Sequence, residues 1–73
     1  MRITSHLRRF RTDRGLTQVE ISIMTRVGLS TVCKLEKNPE QVKRRTRIKL
    51  AKALGLTHGD LFQTEPVDVE VGK

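Results

Sequence analysis

The chain has 73 residues, with 15 Lys or Arg against 8 Asp or Glu and a formal charge of +7, which fits one small domain whose field attracts polyanions. A single cysteine, Cys33, has no partner for an internal disulfide, no apolar run approaches spanning length, and the start Met1-Arg2-Ile3-Thr4-Ser5 lacks the apolar stretch of a secretion signal. A disulfide scaffold and a spanning protein are thereby excluded, and a cytoplasmic protein is expected; nucleic acid suits the charge better than an anionic membrane, because the basic residues are spread over several segments.

Aromatic residues are confined to Phe10 and Phe62, and the β-branched residues fall mostly at helical spacing, so the fold class expected is all-α, with five helices. The first helix should run from about Ile3 to Arg14, with Ile3, Leu7 and Phe10 on one side and Arg8, Arg9 and Thr12 on the other, and Gly15 as its left-handed stop. Leu16 then turns the chain inward. Thr17 caps the second helix and Glu20 follows three residues later, a capping-box spacing that ties off orphan amides, while Ile21 and Thr25 face the core. The turn Arg26-Val27-Gly28 leads to a third helix from Leu29 to Lys37, in which Val32 and Leu35 form the apolar face and leave the opposite face free.

Pro39 forces Asn38 out of the helical region, so residues 38–42 read as loop. A fourth helix from about Arg44 to Leu54 carries Ile48, Leu50, Ala51 and Leu54 inward and is closed by Gly55. Leu56 packs back, and Thr57 caps a last short helix through Leu61 and Phe62. Beyond Pro66, Val67-Asp68-Val69-Glu70-Val71 alternates with period two, a strand signature with nothing in the chain to pair against. Residues 1–63 therefore read as the folded domain and residues 64–73 as a tail, which is either disordered or a dimerisation strand pairing with its own copy across a two-fold axis.

Residues 16–36 have the pattern of two short helices joined by a tight turn, with apolar residues only where the helices must touch. A helix-turn-helix of this kind places its second helix in the major groove while the first crosses the backbone, so double-stranded DNA is the expected partner and the side chains between Leu29 and Lys37 should choose its sequence.

Leu7-Arg8-Arg9-Phe10-Arg11, Gly15-Leu16-Thr17-Gln18, Glu20-Ile21, Thr31-Val32, Leu35-Glu36 and Leu50-Ala51-Lys52-Ala53-Leu54-Gly55-Leu56 together resemble the lambda-repressor/Cro-like (XRE) helix-turn-helix family. The resemblance runs without gaps from about Ile3 to Phe62. It implies a five-helix DNA-binding domain, and it implies a homodimeric transcriptional regulator, mostly a repressor, on a palindromic operator. Dimerisation is expected through the fifth helix and the segment after it, with the tail strand as the alternative route.

Carried over position by position, the resemblance puts Gln18 and Thr31 on phosphates and Leu29, Ser30 and Lys34 at base edges. Lys34 can donate to guanine O6 and N7, Ser30 can serve almost any base, and Leu29 offers an apolar contact such as to a thymine methyl. Arg11 and Glu36 match a pair that bridges the first and third helices, which also sets Arg11 near the DNA backbone. Three departures from the pattern stand out. Arg26 sits where glycine is common in the turn, Val19, Ile23 and Met24 replace polar residues, and Arg47 replaces a leucine. The run Lys43-Arg44-Arg45-Thr46-Arg47 is more basic than the family's usual, and Lys43, Arg44, Arg45 and Arg47 are expected on phosphate or in the minor groove.

Val19, Ile23 and Met24 have two readings: core residues of a slightly rotated second helix, or an exposed patch that docks a protein partner. The second reading goes with an alternative function, an antitoxin or protein-docking module built on the same fold. Cys33 reads as a small adaptable side chain beside Val32, the other reading being a redox switch. His6 and His58 are expected at the surface. Neither a catalytic constellation nor a metal-ligand spacing nor a cofactor motif is present in the sequence, so no enzyme is expected.

Overall fold

The computed structural model describes residues 2–65 of the chain. The elements, in chain order, are strand β1 (Arg2–Ser5), helices α1 (Leu7–Asp13), α2 (Gln18–Thr25) and α3 (Leu29–Lys37), a single 3₁₀ turn (Pro39–Gln41), helices α4 (Arg44–Ala53) and α5 (His58–Leu61), and strand β2 (Phe62–Glu65). No described helix is long and apolar enough to cross a membrane.

The helix ends follow from local chemistry. Thr17 accepts from the Glu20 amide at 3.1 Å while Glu20 Oε1 accepts from the Thr17 amide at 2.8 Å. Thr57 and Asp60 repeat this reciprocal cap at α5, at 3.2 and 2.9 Å, so each short helix starts with two amides already paired. The stops of α1 and α4 are also twins. Leu16 N donates to Arg11 O and Gly15 N to Thr12 O, just as Leu56 N donates to Ala51 O and Gly55 N to Lys52 O. Gly15 and Gly55 have φ of +66° and +76°, the left-handed conformation that closes such a motif and favours glycine.

Arg26 ends α2 in the same left-handed region, at φ 58°, with a Cβ to accommodate. Its neighbours hold the turn: the Ser22 hydroxyl donates to Val27 O at 2.6 Å and the Thr25 hydroxyl to Ile21 O at 2.7 Å. Val27 is buried against the core and fixes the angle at which α3 departs.

Leu7, Ile21, Val32, Leu35, Leu50, Ala51, Leu61 and Phe62 are nearly or fully buried and form one cluster, with Ile3, Val27 and Val42 at its edge. Phe10, Leu16, Leu54 and Leu56 pack around it. Every helix contributes at least one residue to this cluster or its rim, so the orientation of α3 is set by burial of Val32 and Leu35 from one side.

Several expectations need correction. The first helix begins at Leu7, and Ile3 belongs to β1, which pairs antiparallel with β2 in the register Arg2↔Glu65 to Ser5↔Phe62. Phe62 accordingly leaves the fifth helix and opens β2. The strand observed near the C-terminal end thus has an intrachain partner; Val67, Val69 and Val71 lie outside the described residues. The segment read as loop contains the 3₁₀ turn, with Pro39 buried at its start. His6 and His58 are half-buried instead of exposed, and His6 Nε2 is enclosed without a hydrogen-bond partner among the described residues.

Candidate nucleic-acid interface

Burying Val32 and Leu35 turns the other side of α3 to solvent. Leu29, at 44 % exposure, and the exposed Ser30, Lys34 and Lys37 lie on that side, with Thr31 half-buried beside them. A helix whose free face carries a hydroxyl and two ammonium groups can donate to base edges and phosphates without losing any core contact.

The relation of α3 to α1 and α2 is fixed by a polar network. Arg11 Nε lies 2.7 Å from Glu36 Oε2, Nη2 lies 3.3 Å from Oε1, and Nη1 donates to Leu16 O at 3.0 Å. Glu36 is almost enclosed, with 4 % of its side chain exposed against 15 % for Arg11, so the forked guanidinium supplies the partner that an enclosed carboxylate needs in place of water. The hydrogen bonds that Arg11 donates to Glu36 in turn raise the Arg11 pKa, against the opposing effect of burial. Gln18 Nε2 donates to the same Glu36 Oε1 at 3.1 Å, and the Cys33 thiol donates to Gln18 Oε1 at 3.2 Å. Three helices are thereby laced together at the first residue of α2.

Arg8, Arg11, Gln18, Glu36 and Lys37 line a notch of about 420 Å³ where these helices meet. With Glu36 neutralised by Arg11, the free charges at its mouth are Arg8 and Lys37, and both are exposed. Neither was singled out from the sequence as a contact; the helical offset that brings Arg8 to the same side as Arg11 was the available signal.

At the start of α4, Lys43, Arg44 and Arg45 are exposed. Arg47 is not, and the expectation that it contacts phosphate is corrected. It is 7 % exposed because positions 47, 50, 51 and 54 share the inward face of α4. Its Nη1 donates to Pro39 O at 3.1 Å and to Val42 O, and its Nε donates to His58 Nε2 at 3.1 Å. Burial lowers its pKa, helped by the charge of Arg44. The residue clamps the α3–α4 connection to α5 from inside the domain. His58, which also lies 5.4 Å from the Phe62 ring, has its pKa lowered by burial first and then by Arg47 and Arg44.

Val19, Ile23 and Met24 are 51 %, 72 % and 52 % exposed on the outer side of α2, so α2 is not rotated to bury them, and the core reading fails. No group of three or more His, Cys, Asp or Glu able to hold a metal occurs among the described residues.

Comparison with known families matches residues 6–67 to a Cro/C1-type HTH DNA-binding domain. No curated protein matches the chain.

Proposed function

Because the chain belongs to the Cro/C1-type helix-turn-helix DNA-binding family, which makes it a DNA-binding regulator, we propose that it is a cytoplasmic, sequence-specific repressor of transcription, acting as a homodimer on a palindromic operator. The observation that carries this reading is the free face of α3, polar and cationic, held by the Arg11–Glu36 pair and flanked by the exposed Lys43, Arg44 and Arg45.

In this reading Lys34, Ser30 and Leu29 read base edges. Gln18, Thr31, Lys43, Arg44 and Arg45 grip phosphates, and Arg11 does so with the donor capacity it does not spend on Glu36 and Leu16. Arg8 and Lys37 add to the same grip at the notch. Residues 1–63 supply recognition, while α5 and the segment after it supply the contact between subunits.

Selection of bound sequences from a random duplex pool at physiological salt tests this directly, since a palindromic winner establishes specificity and two-fold symmetry together. Failure to bind any duplex in dilute buffer overturns it. A second reading, a protein-docking module or antitoxin, is favoured by the exposure of Val19, Ile23 and Met24. Capture of a specific host protein that is lost with Ile23→Glu supports that alternative, and retention of DNA binding by the same variant shows that the two surfaces act separately.

A further inference from the structure

We propose that Cys33 is a positioning residue: its thiol holds the Gln18 carboxamide in the one orientation that presents an N–H to DNA phosphate. The proposal rests on the DNA-binding reading for its consequence, though not for its geometry.

A carboxamide has two faces that matter to an anion. Its NH₂ attracts phosphate and its carbonyl oxygen repels it, and rotation about the last side-chain bond exchanges them. In this chain both ends of the Gln18 amide are engaged. Nε2 donates to Glu36 Oε1 at 3.1 Å, and Oε1 accepts from Cys33 Sγ at 3.2 Å. Glu36 cannot move to follow a rotating amide, because Arg11 binds both of its oxygens. One N–H of Gln18 is therefore directed at Glu36 and the carbonyl at Cys33, which leaves the second N–H unspent on a residue that lines the polar notch bordered by Arg8 and Lys37.

Cys33 reaches this bond because it stands one residue after the buried Val32, half-buried itself on the side of α3 that meets α2. An alanine there retains the helix and loses the donor. The carbonyl then loses its thiol donor, the amide is held by its bond to Glu36 alone, and part of the wider motion this permits must be given up again when phosphate binds. A serine keeps a donor at the same site, although with a shorter reach.

The test uses the full chain in two readouts. The first is the pair of Gln18 side-chain amide resonances in the free protein by NMR. Wild type is expected to show them displaced from free-glutamine positions, Cys33→Ala to return them towards those positions, and Cys33→Ser to keep the displacement. The second readout is duplex affinity. Cys33→Ala is expected to lose roughly threefold, in line with one weak neutral hydrogen bond, with Cys33→Ser restoring most of it and no further loss in a Gln18→Ala background. Unmoved Gln18 resonances in Cys33→Ala overturn the proposal, as does an equal affinity loss with and without Gln18. If no duplex binds wild type, the DNA reading falls, and the proposal falls with it as a statement about phosphate; displaced resonances would then leave only the thiol's hold on Gln18 standing.

Discussion

Arg47 donates to the unprotonated Nε2 of His58 across 3.1 Å, so the bond exists only while the imidazole is neutral at that nitrogen. A proton there would set a cation against a buried guanidinium whose other partners are the backbone carbonyls of Pro39 and Val42.

The first prediction is a loss of stability in mild acid. The His58 pKa in the folded chain is lowered from its ordinary 6.5 by burial, Arg47 and Arg44. The unfolded chain therefore takes up this proton first, so the stabilisation is complete above the unfolded value and is lost as pH falls through the folded one. Thermal unfolding followed by circular dichroism should show the melting temperature dropping below about pH 6.5, the unfolded-state region for histidine. His58→Gln, which still offers an acceptor, should flatten that part of the curve; an unchanged slope would remove His58 as the source.

Arg47 and Arg44, three residues apart on one helix, should behave as opposites. Arg47→Ala strands two carbonyls and opens space in the core, a loss of about 2–4 kcal/mol in urea unfolding. It should leave the salt dependence of DNA binding unchanged at a temperature where the variant is folded. Arg44→Ala should hardly alter stability and should make the slope of log affinity against log salt shallower by about 0.9 if it contacts one phosphate. A shallower slope in Arg47→Ala would mean that the guanidinium leaves its interior site when DNA binds.

Much of this architecture is legible in the amino-acid sequence. Thr17 with Glu20, the cap Thr57, and Gly15 and Gly55 are signals whose partners lie within a few residues, so local chemistry suffices to place α2, the start of α5 and the stops of α1 and α4. β1 escapes because Ile3 and Leu7 are spaced as on a helix, while the partner strand begins at Phe62 at the far end of the domain. Arg47 escapes for a related reason. A charge inside a basic run looks solvated, and only the folded chain brings Pro39 O, Val42 O and His58 to one point. At the candidate interface, the exposed side of α3 follows from Val32 and Leu35 alone, whereas the Cys33–Gln18 bond needs the packing of α2 on α3.

Specificity should separate from affinity. Lys34→Ala is expected to change which operator is preferred, with a cost of about 1–3 kcal/mol at the best site if the ammonium reads guanine, whereas Arg44→Ala should weaken all sequences alike. Competition binding with the selected operator and single-base variants measures both effects. A Lys34→Ala protein that keeps the wild-type ranking would move base readout to other residues of α3.

The turn between α2 and α3 should accept improvement. Arg26→Gly relieves a side chain held at φ 58°, where an L-residue is disfavoured by about 1–2 kcal/mol, partly offset by the greater freedom of glycine in the unfolded chain. A net gain near 1 kcal/mol in chemical denaturation is expected. Equal or lower stability would show that Arg26 makes up for its backbone conformation elsewhere.

Removing residues 66–73 leaves β2 whole and isolates the tail. If α5 and the nearby surface join the subunits, sedimentation should show the shortened chain still as a dimer; a monomer would assign the contact to the tail.

The antiparallel ribbon also orders events at the ribosome. Arg2–Ser5 is made before every described helix of the domain, yet its hydrogen-bonding complement, residues 62–65, follows all of them. Ile3 and Phe62 can share the core only then. Until residues 62–65 are made, Arg2–Ser5 has no strand to pair with, so closure of the ribbon must wait for the last element of the described domain.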